Sequence, residues 1–216
     1  RPARMLVEWA TRDDFRDARR VRGPLATPAD GFATHLDLRG LPPGETVVWR
    51  ARWESLAHPG TCSEPVVGRF RTPPAPGTRA WRAPGRGVRL AWSGDMVGQG
   101  WGIDEARGGL RIYDALRRAE PDLFVHSGDN VYADGPLAAE VRLDDGTVWR
   151  NLVTEAKAKV AESLDEFRGN FAYHLLDPQA RRFHAEVPMV AQWDDHEVVN
   201  NWWHARSLAD DPRYTE

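Results

Sequence analysis

Along the first third of the chain, apolar and polar residues alternate in short runs broken by turn formers. Arg4-Met5-Leu6-Val7-Glu8-Trp9 is one apolar stretch, and Phe32-Ala33-Thr34-His35-Leu36-Asp37-Leu38 repeats with period two. Thr46 to Trp53 is β-branched and aromatic, and the same period puts Val47, Trp49, Ala51 and Trp53 on one face. Gly40-Leu41-Pro42-Pro43-Gly44 forms a turn, and Val66 to Arg71 a last strand. These strands point to an immunoglobulin-like or fibronectin-like β-sandwich over residues 1–72. A whole sandwich needs about seven strands, so the expectation is an incomplete domain.

Thr72-Pro73-Pro74-Ala75-Pro76-Gly77 opens a stiff linker that runs to Gly87. The rhythm then changes. Val88 to Trp92, Asp122 to His126 and Val187 to Trp193 read as strands. Leu110 to Ala119 reads as an amphipathic helix with Ile112, Ala115, Leu116 and Ala119 on its apolar face. Thr154 to Leu176 reads as a longer helix aligning Val160, Leu164 and Phe167, and Pro178 to Glu186 as a short one. Thr154 can cap the longer helix, but Lys157 stands where a capping box needs Glu or Gln. Residues 131–149 read as a long loop. Strands alternating with helices over 88–216 predict an α/β layer with a mostly parallel sheet.

Charge supports the same division. The 216 residues carry 29 Lys and Arg against 32 Asp and Glu, a net charge of −3. Residues 1–87 hold 15 Arg and 9 acids, whereas residues 88–216 hold 12 Arg, 2 Lys and 23 acids, so +6 faces −9. The acidic part argues against a nucleic-acid partner and suits either cation binding or plain solubility. The excess of Arg over Lys, taken as composition alone, reads as coding bias. Cys62 is the single cysteine, which excludes a disulfide framework and a cysteine-based zinc cluster. No apolar run approaches the roughly 18–20 residues of a membrane span. The chain begins at Arg1 with no signal-peptide pattern after it, which reads as a processed product or a fragment.

Each strand of the second part runs into a polar cluster. The first leads to Ser93-Gly94-Asp95, the second to Ser127-Gly128-Asp129-Asn130-Val131-Tyr132-Ala133-Asp134, the third to Asp194-Asp195-His196-Glu197. In open α/β sheets ligands bind outside the carboxyl ends of the strands, so these clusters are expected to meet. Carboxylates brought together raise one another's pKa unless a cation compensates. One or two metal ions held by Asp oxygens are the simplest compensation. A lone Gly-Asp is usually a turn, but four titratable residues straight after a buried strand cost desolvation unless they bind something. His126, inside the second strand, reads as a core histidine or one that supports the ligands rather than as a ligand itself.

Ser127-Gly128-Asp129-Asn130-Val131-Tyr132 and Trp193-Asp194-Asp195-His196-Glu197-Val198-Val199-Asn200-Asn201 resemble the two most diagnostic motifs of PhoD-type alkaline phosphatases. These belong to the calcineurin-like metallophosphatases. Gly40 to Gly44 and Gly68-Arg69-Phe70-Arg71-Thr72 resemble the family's N-terminal β-sandwich. The resemblance implies a sandwich followed by the first half of an α/β metallophosphatase domain, with the C-terminal half and its late histidine ligands missing after Glu216. It implies a phosphate-ester substrate and a secreted, periplasmic or wall-associated protein, with no membrane span and no nucleic acid. It assigns Asp129 as a carboxylate bridging two metals, Asp95, Tyr132 and Asp195 as further ligands, and His196 as the group that contacts the phosphoryl and protonates the leaving oxygen. Asn130 and Asn200, with Trp101 as a cleft wall beside Trp202 and Trp203, are the expected substrate contacts.

Two or more metals are implied, among calcium, iron(III), manganese and zinc. A typical member has Ser-Cys at the first strand's end; Gly94 and Asp95 follow Ser93 here, and a carboxylate in place of a thiolate favours calcium or manganese. The implied activity is hydrolysis of phosphate monoesters or diesters by a hydroxide held between the metals. Two alternatives remain open: a phospholipase-D-like phosphodiesterase acting on lipid or wall polymers, and a non-catalytic wall- or carbohydrate-binding module with a degenerate site.

Overall fold

The computed structural model describes residues 1–78, 87–97, 99–209 and 211–214. The expected linker therefore lies largely outside the described residues. Contacts divide the chain into two units, Arg1–Arg89 with Ala185–Pro188, and Leu90–His184 with Met189–Glu216.

The first unit holds one antiparallel sheet of four strands: β1 (Ala3–Ala10), β2 (Arg19–Ala26), β3 (Thr46–Ser55) and β4 (Val66–Arg71), in the order β2-β1-β3-β4. Register sets its two faces. Met5 opposes Trp53, Val7 opposes Ala51, Trp9 opposes Trp49 and Val47 opposes Phe70, so the apolar residues share a side. Glu8 lies between Arg20 and Arg50 on the other side, and Leu6 between Arg22 and Arg52.

Of the expected incomplete sandwich, the described residues of this unit make a single four-stranded sheet. Residues 32–38 form no strand. Phe32 adopts φ 58 and donates its N–H to the Thr27 carbonyl at 2.8 Å, closing the turn around Pro28–Asp30 and breaking any extended run. Strand β2, which the apolar pattern does not announce, occupies the sheet edge. Its arginines and Pro24 are the residues an edge tolerates.

In the second unit, β5 (Leu90–Ser93), β6 (Leu123–His126) and β9 (Met189–Ala191) form a parallel sheet in the order β5-β6-β9. Helices α1 (Arg111–Arg118), α2 (Leu164–His174) and α3 (Pro178–Glu186) complete the layer. Phe124, 2% exposed, packs edge-on to Phe183 of α3 at 5.3 Å. The opposite side of the sheet is bare: Trp92 is 70% and Val190 58% exposed. Parallel sheets are normally covered on both faces, and the described residues cover this one on a single side.

Two helices depart from the sequence reading. In α1 the buried residue is Tyr113, which meets the rings of Phe183 and His184 at 5.1 and 5.3 Å, while Ile112 faces solvent at 60% exposure. The expected helix from Thr154 starts instead at Ser163. Ser163 Oγ accepts the Glu166 N–H, and Glu166 returns a carboxylate oxygen to the Ser163 N–H, a full capping box. Upstream, only Glu155–Lys157 make a 3₁₀ turn. Lys157 is buried there, donating to the Tyr132 carbonyl at 2.8 Å and to Asn170 Oδ1 at 2.9 Å. The expected loop over 131–149 contains a hairpin, β7 (Glu140–Arg142) with β8 (Val148–Arg150), turned by Gly146 at φ 82.

Candidate metal centre

Parallel pairing brings the carboxyl ends of β5, β6 and β9 to one edge, and the three polar clusters follow there. Asp95 and Asp129 both take left-handed backbone, φ 56 and 52. A non-glycine residue there stores strain, which Asp bears better than most and which concentrates at functional sites. Gly128, at φ 105, sits where a Cβ would come within 2.5 Å of the Asp194 Cβ, so only glycine lets the third cluster approach the second.

The clusters are tied to one another. Asp95 donates its N–H to the Gly128 carbonyl at 3.1 Å, and Met96 to the Asp129 carbonyl at 2.8 Å. His196 N–H reaches Asp129 Oδ1 at 3.2 Å, and Ala133 N–H reaches the His196 carbonyl at 2.9 Å. Asp129, Asp195 and His196 each offer a ligand atom within 4.8 Å of the others. Tyr132 donates its hydroxyl to Asp95 Oδ1 at 2.7 Å and stacks against the His196 ring at 4.4 Å.

The electrostatics of the cluster suit a cation. Burial pushes the Asp129 carboxyl up to about 6, against the lowering effect of the His196 N–H. Burial also raises the Tyr132 hydroxyl, with the bond to Asp95 adding to it. For His196, burial pulls the imidazole down, but the Asp134 hydrogen bond and the carboxylates of Asp134, Asp129 and Asp195 together raise it. A cation would hold Asp129 ionised. Carboxylate, phenol and imidazole donors fit hard or borderline ions such as calcium, manganese, iron(III) or zinc.

Each expected site residue has a definite place. Asp129, Asp195 and His196 converge, and Asp95 and Tyr132 join them through their shared hydrogen bond. Asn130 is engaged already: its backbone and side-chain N–H groups go to Glu197 Oε1 at 2.5 and 2.9 Å, and its side chain also to the Gln192 carbonyl at 2.7 Å. Asn200 is exposed, with its N–H on Asp134 Oδ2 at 2.9 Å. Trp101 stacks edge-on against Trp149 at 5.6 Å.

Three residues escaped the sequence reading as parts of this site. Asp134, 4% exposed, accepts His196 Nδ1 at 2.8 Å and so leaves Nε2 facing away from it. Glu197, 2% exposed, accepts from Asn130 and from the Asp194 N–H at 2.8 Å, clamping the second cluster to the third. Lys157 holds the Tyr132 carbonyl from below. Asp134 stood in the second polar cluster and Glu197 in the third, without a role of its own. Lys157, one of two lysines, carried no local signal.

Comparison with known proteins settles the family. A family model described as PhoD-like phosphatase matches residues 90–216, and one for the PhoD-like phosphatase N-terminal domain matches residues 1–74. The chain belongs to the PhoD-like phosphatase family. Alkaline phosphatase D of Bacillus subtilis (strain 168) is 27% identical over 198 residues, which is 91% of this chain and 30% of that protein. A solved structure of PhoD superposes with a TM-score of 0.66 at 26% identity, over 94% of this chain and 34% of the other. A purple acid phosphatase from yellow lupin seeds gives a TM-score of 0.46 at 17% identity, over 89% of this chain and 30% of the other. The chain thus spans about a third of the length of the PhoD-like relatives it matches. Among the described residues, no helix is long and apolar enough to cross a membrane.

Proposed function

We propose that the chain carries the metal-binding core of an exported, metal-dependent phosphoesterase that hydrolyses phosphate monoesters or diesters. The observation that carries this reading is the convergence of Asp129, Asp195 and His196 within 4.8 Å, with Asp129 buried and short of a countercharge. The name of the Bacillus relative, an alkaline phosphatase, agrees with it. Asp95, Asp129, Tyr132 and Asp195 are the residues that would hold the metals, with Asp129 shared. When bound, the metals supply Lewis acidity and an activated water for attack on phosphorus.

The chain's own residues do the rest. Asp134 fixes the His196 ring through Nδ1, so that Nε2 is the atom presented to the leaving oxygen as a proton donor. Glu197 and Lys157 hold the loops bearing Asp129 and Tyr132. The bare side of the β5-β6-β9 sheet is where the rest of the catalytic domain would seat, bringing the later ligands.

In the protein that carries this chain together with that remainder, His196→Ala lowers turnover of p-nitrophenyl phosphate by about 10²–10⁴-fold. Asp129→Asn removes metal-dependent turnover altogether. Near-wild-type rates in either variant would overturn the assignment. Turnover of the bis-ester and of a phospholipid beside the monoester separates the diesterase alternatives. A purified protein holding no calcium, iron, manganese or zinc would favour the non-catalytic reading.

A further inference from the structure

The polar face of the N-terminal sheet carries an array that nothing in the phosphatase chemistry uses. Across β2, β1 and β3, Glu8 lies between Arg20 and Arg50, and two residues along, Leu6 lies between Arg22 and Arg52. These residues and Glu54 line a groove of about 570 Å³. Arg4, Arg69 and Arg71 share the same face by register, so seven guanidinium groups meet three carboxylates, those of Glu8, Glu54 and Asp13, the last 3.7 Å from Arg69.

Glu8 organises the array. It accepts from Arg20 Nε at 2.8 Å, Arg50 Nε at 2.5 Å and Arg52 at 3.3 Å, and Glu54 stands 3.8 Å from Arg22. Each guanidinium has five N–H donors, so these contacts orient the forks and leave most donors unspent. Guanidinium forks match the oxygens of phosphate and carboxylate. The two rows are ~6.8 Å apart along the strands, and β2 and β3 are ~9.6 Å apart across β1. A single small anion engages one row; a chain of anions engages both. Binding of single-stranded nucleic acid relies on aromatic stacking platforms, but Trp9, Trp49, Trp53 and Phe70 all lie on the opposite face, and Phe15 is already covered by Arg50 at 4.5 Å.

We propose that the arginine face of the N-terminal sheet binds a linear, phosphate-bearing polyanion that carries no bases. This site is separate from the candidate metal centre, and its existence does not depend on hydrolysis. Bound there, a phosphate-linked polymer would be held by the same protein that carries the metal centre.

The test titrates the 216-residue chain with labelled linear polyphosphate, in EDTA so that the metal centre does not contribute, across a salt series. Arg20 and Arg22 have side chains 83% and 69% exposed, so R20Q/R22Q is expected to fold. It should weaken binding about tenfold at low salt and flatten the slope of log K against log salt by roughly 1.4, at about 0.7 per charge. R22Q alone, which touches only the long Glu54 contact, should lose about threefold. The charge-matched R142Q/R150Q pair on the β7–β8 hairpin should change affinity less than twofold. Orthophosphate at equal phosphate concentration and oligothymidylate of equal charge should each bind at least tenfold more weakly. No polyphosphate binding, equal losses in the two arginine pairs, or oligothymidylate binding as tight as polyphosphate would each overturn the proposal. Loss of turnover in Asp129→Asn with this binding intact would mark the two sites as independent.

Discussion

Two carboxylates, one in each unit, are buried to the same degree and solve the problem in opposite ways. Glu8 is 8% exposed and Asp129 is 7% exposed. The bond from Arg50, joined by Arg20, holds the Glu8 carboxyl below its ordinary value in spite of burial. Burial wins at Asp129 over the His196 N–H, the His196 charge and the Tyr132 hydroxyl, and its carboxyl rises to about 6. The first unit gives Glu8 its own guanidinium countercharges, while Asp129 has no Arg or Lys among the groups that shift it. Buried charges are paired or bind metal, so the contrast separates a carboxylate that carries its own countercharge from one whose setting suits a cation.

The histidines of the second unit show a third solution, giving up the charge, and here the largest effect is expected. Burial lowers His126 and His184 and takes His174 down to about 3. Between about 3 and the ordinary 6.5, the unfolded chain binds a proton at His174 that the folded chain does not. Stability therefore rises with pH across that window, is lost as pH falls, and is flat above it, by on the order of 4 kcal/mol in all. Urea midpoints measured from pH 7 to pH 4 should fall steeply, and His174→Leu should flatten the slope; an unchanged slope refutes burial as its source.

Glu8→Gln comes next. It leaves three arginines facing one another and should cost about 3 kcal/mol at pH 7. The Glu8 contribution is present above its ordinary pKa and lost as pH falls below it, so the variant and the wild type should converge in acid. Asp129→Asn should have the opposite sign. With its folded pKa above the unfolded one, Asp129 makes stability fall as pH rises through about 4 to 6, and the deficit persists above. In EDTA at pH 8 the asparagine variant should gain about 2 kcal/mol. Calcium or manganese should raise the wild-type melting temperature and leave that of the variant unmoved. If both variants destabilise alike, the distinction between the two carboxylates collapses.

The contrast was only partly legible in the sequence. The Gly-Asp-Asn and Asp-Asp-His-Glu runs announced Asp129 and His196, because local motifs survive whatever the tertiary packing does. Glu8 did not stand out, since its partners Arg20 and Arg50 come from strands 12 and 42 residues away. Strand β2 was hidden for a similar reason: an edge strand made of Arg, Gly and Pro has no apolar rhythm to read. The alternation of Phe32 to Leu38 misled, because period two needs a neighbouring strand to become a sheet. Helix α1 was placed correctly but its apolar face was not, because Tyr113 outweighs Ile112 as a partner for Phe183.

The smallest expected effect lies at Ser163, where compensation comes from the backbone itself. Glu166 accepts the N–H groups of Glu162 and Ser163 and pairs with Lys159, and those two backbone bonds, ahead of the lysine, hold its carboxyl down to about 2. This is a countercharge of dipoles at a helix start, set in water rather than in the interior. The Ser163 hydroxyl supplies the reciprocal bond, so Ser163→Ala should cost about 1 kcal/mol. A loss from Ser163→Ala as large as that from Glu8→Gln would mean that burial does not set the scale of these interactions. A loss several times smaller means that breaking such an interaction is expensive where water cannot replace it, the setting that Glu8 and Asp129 share.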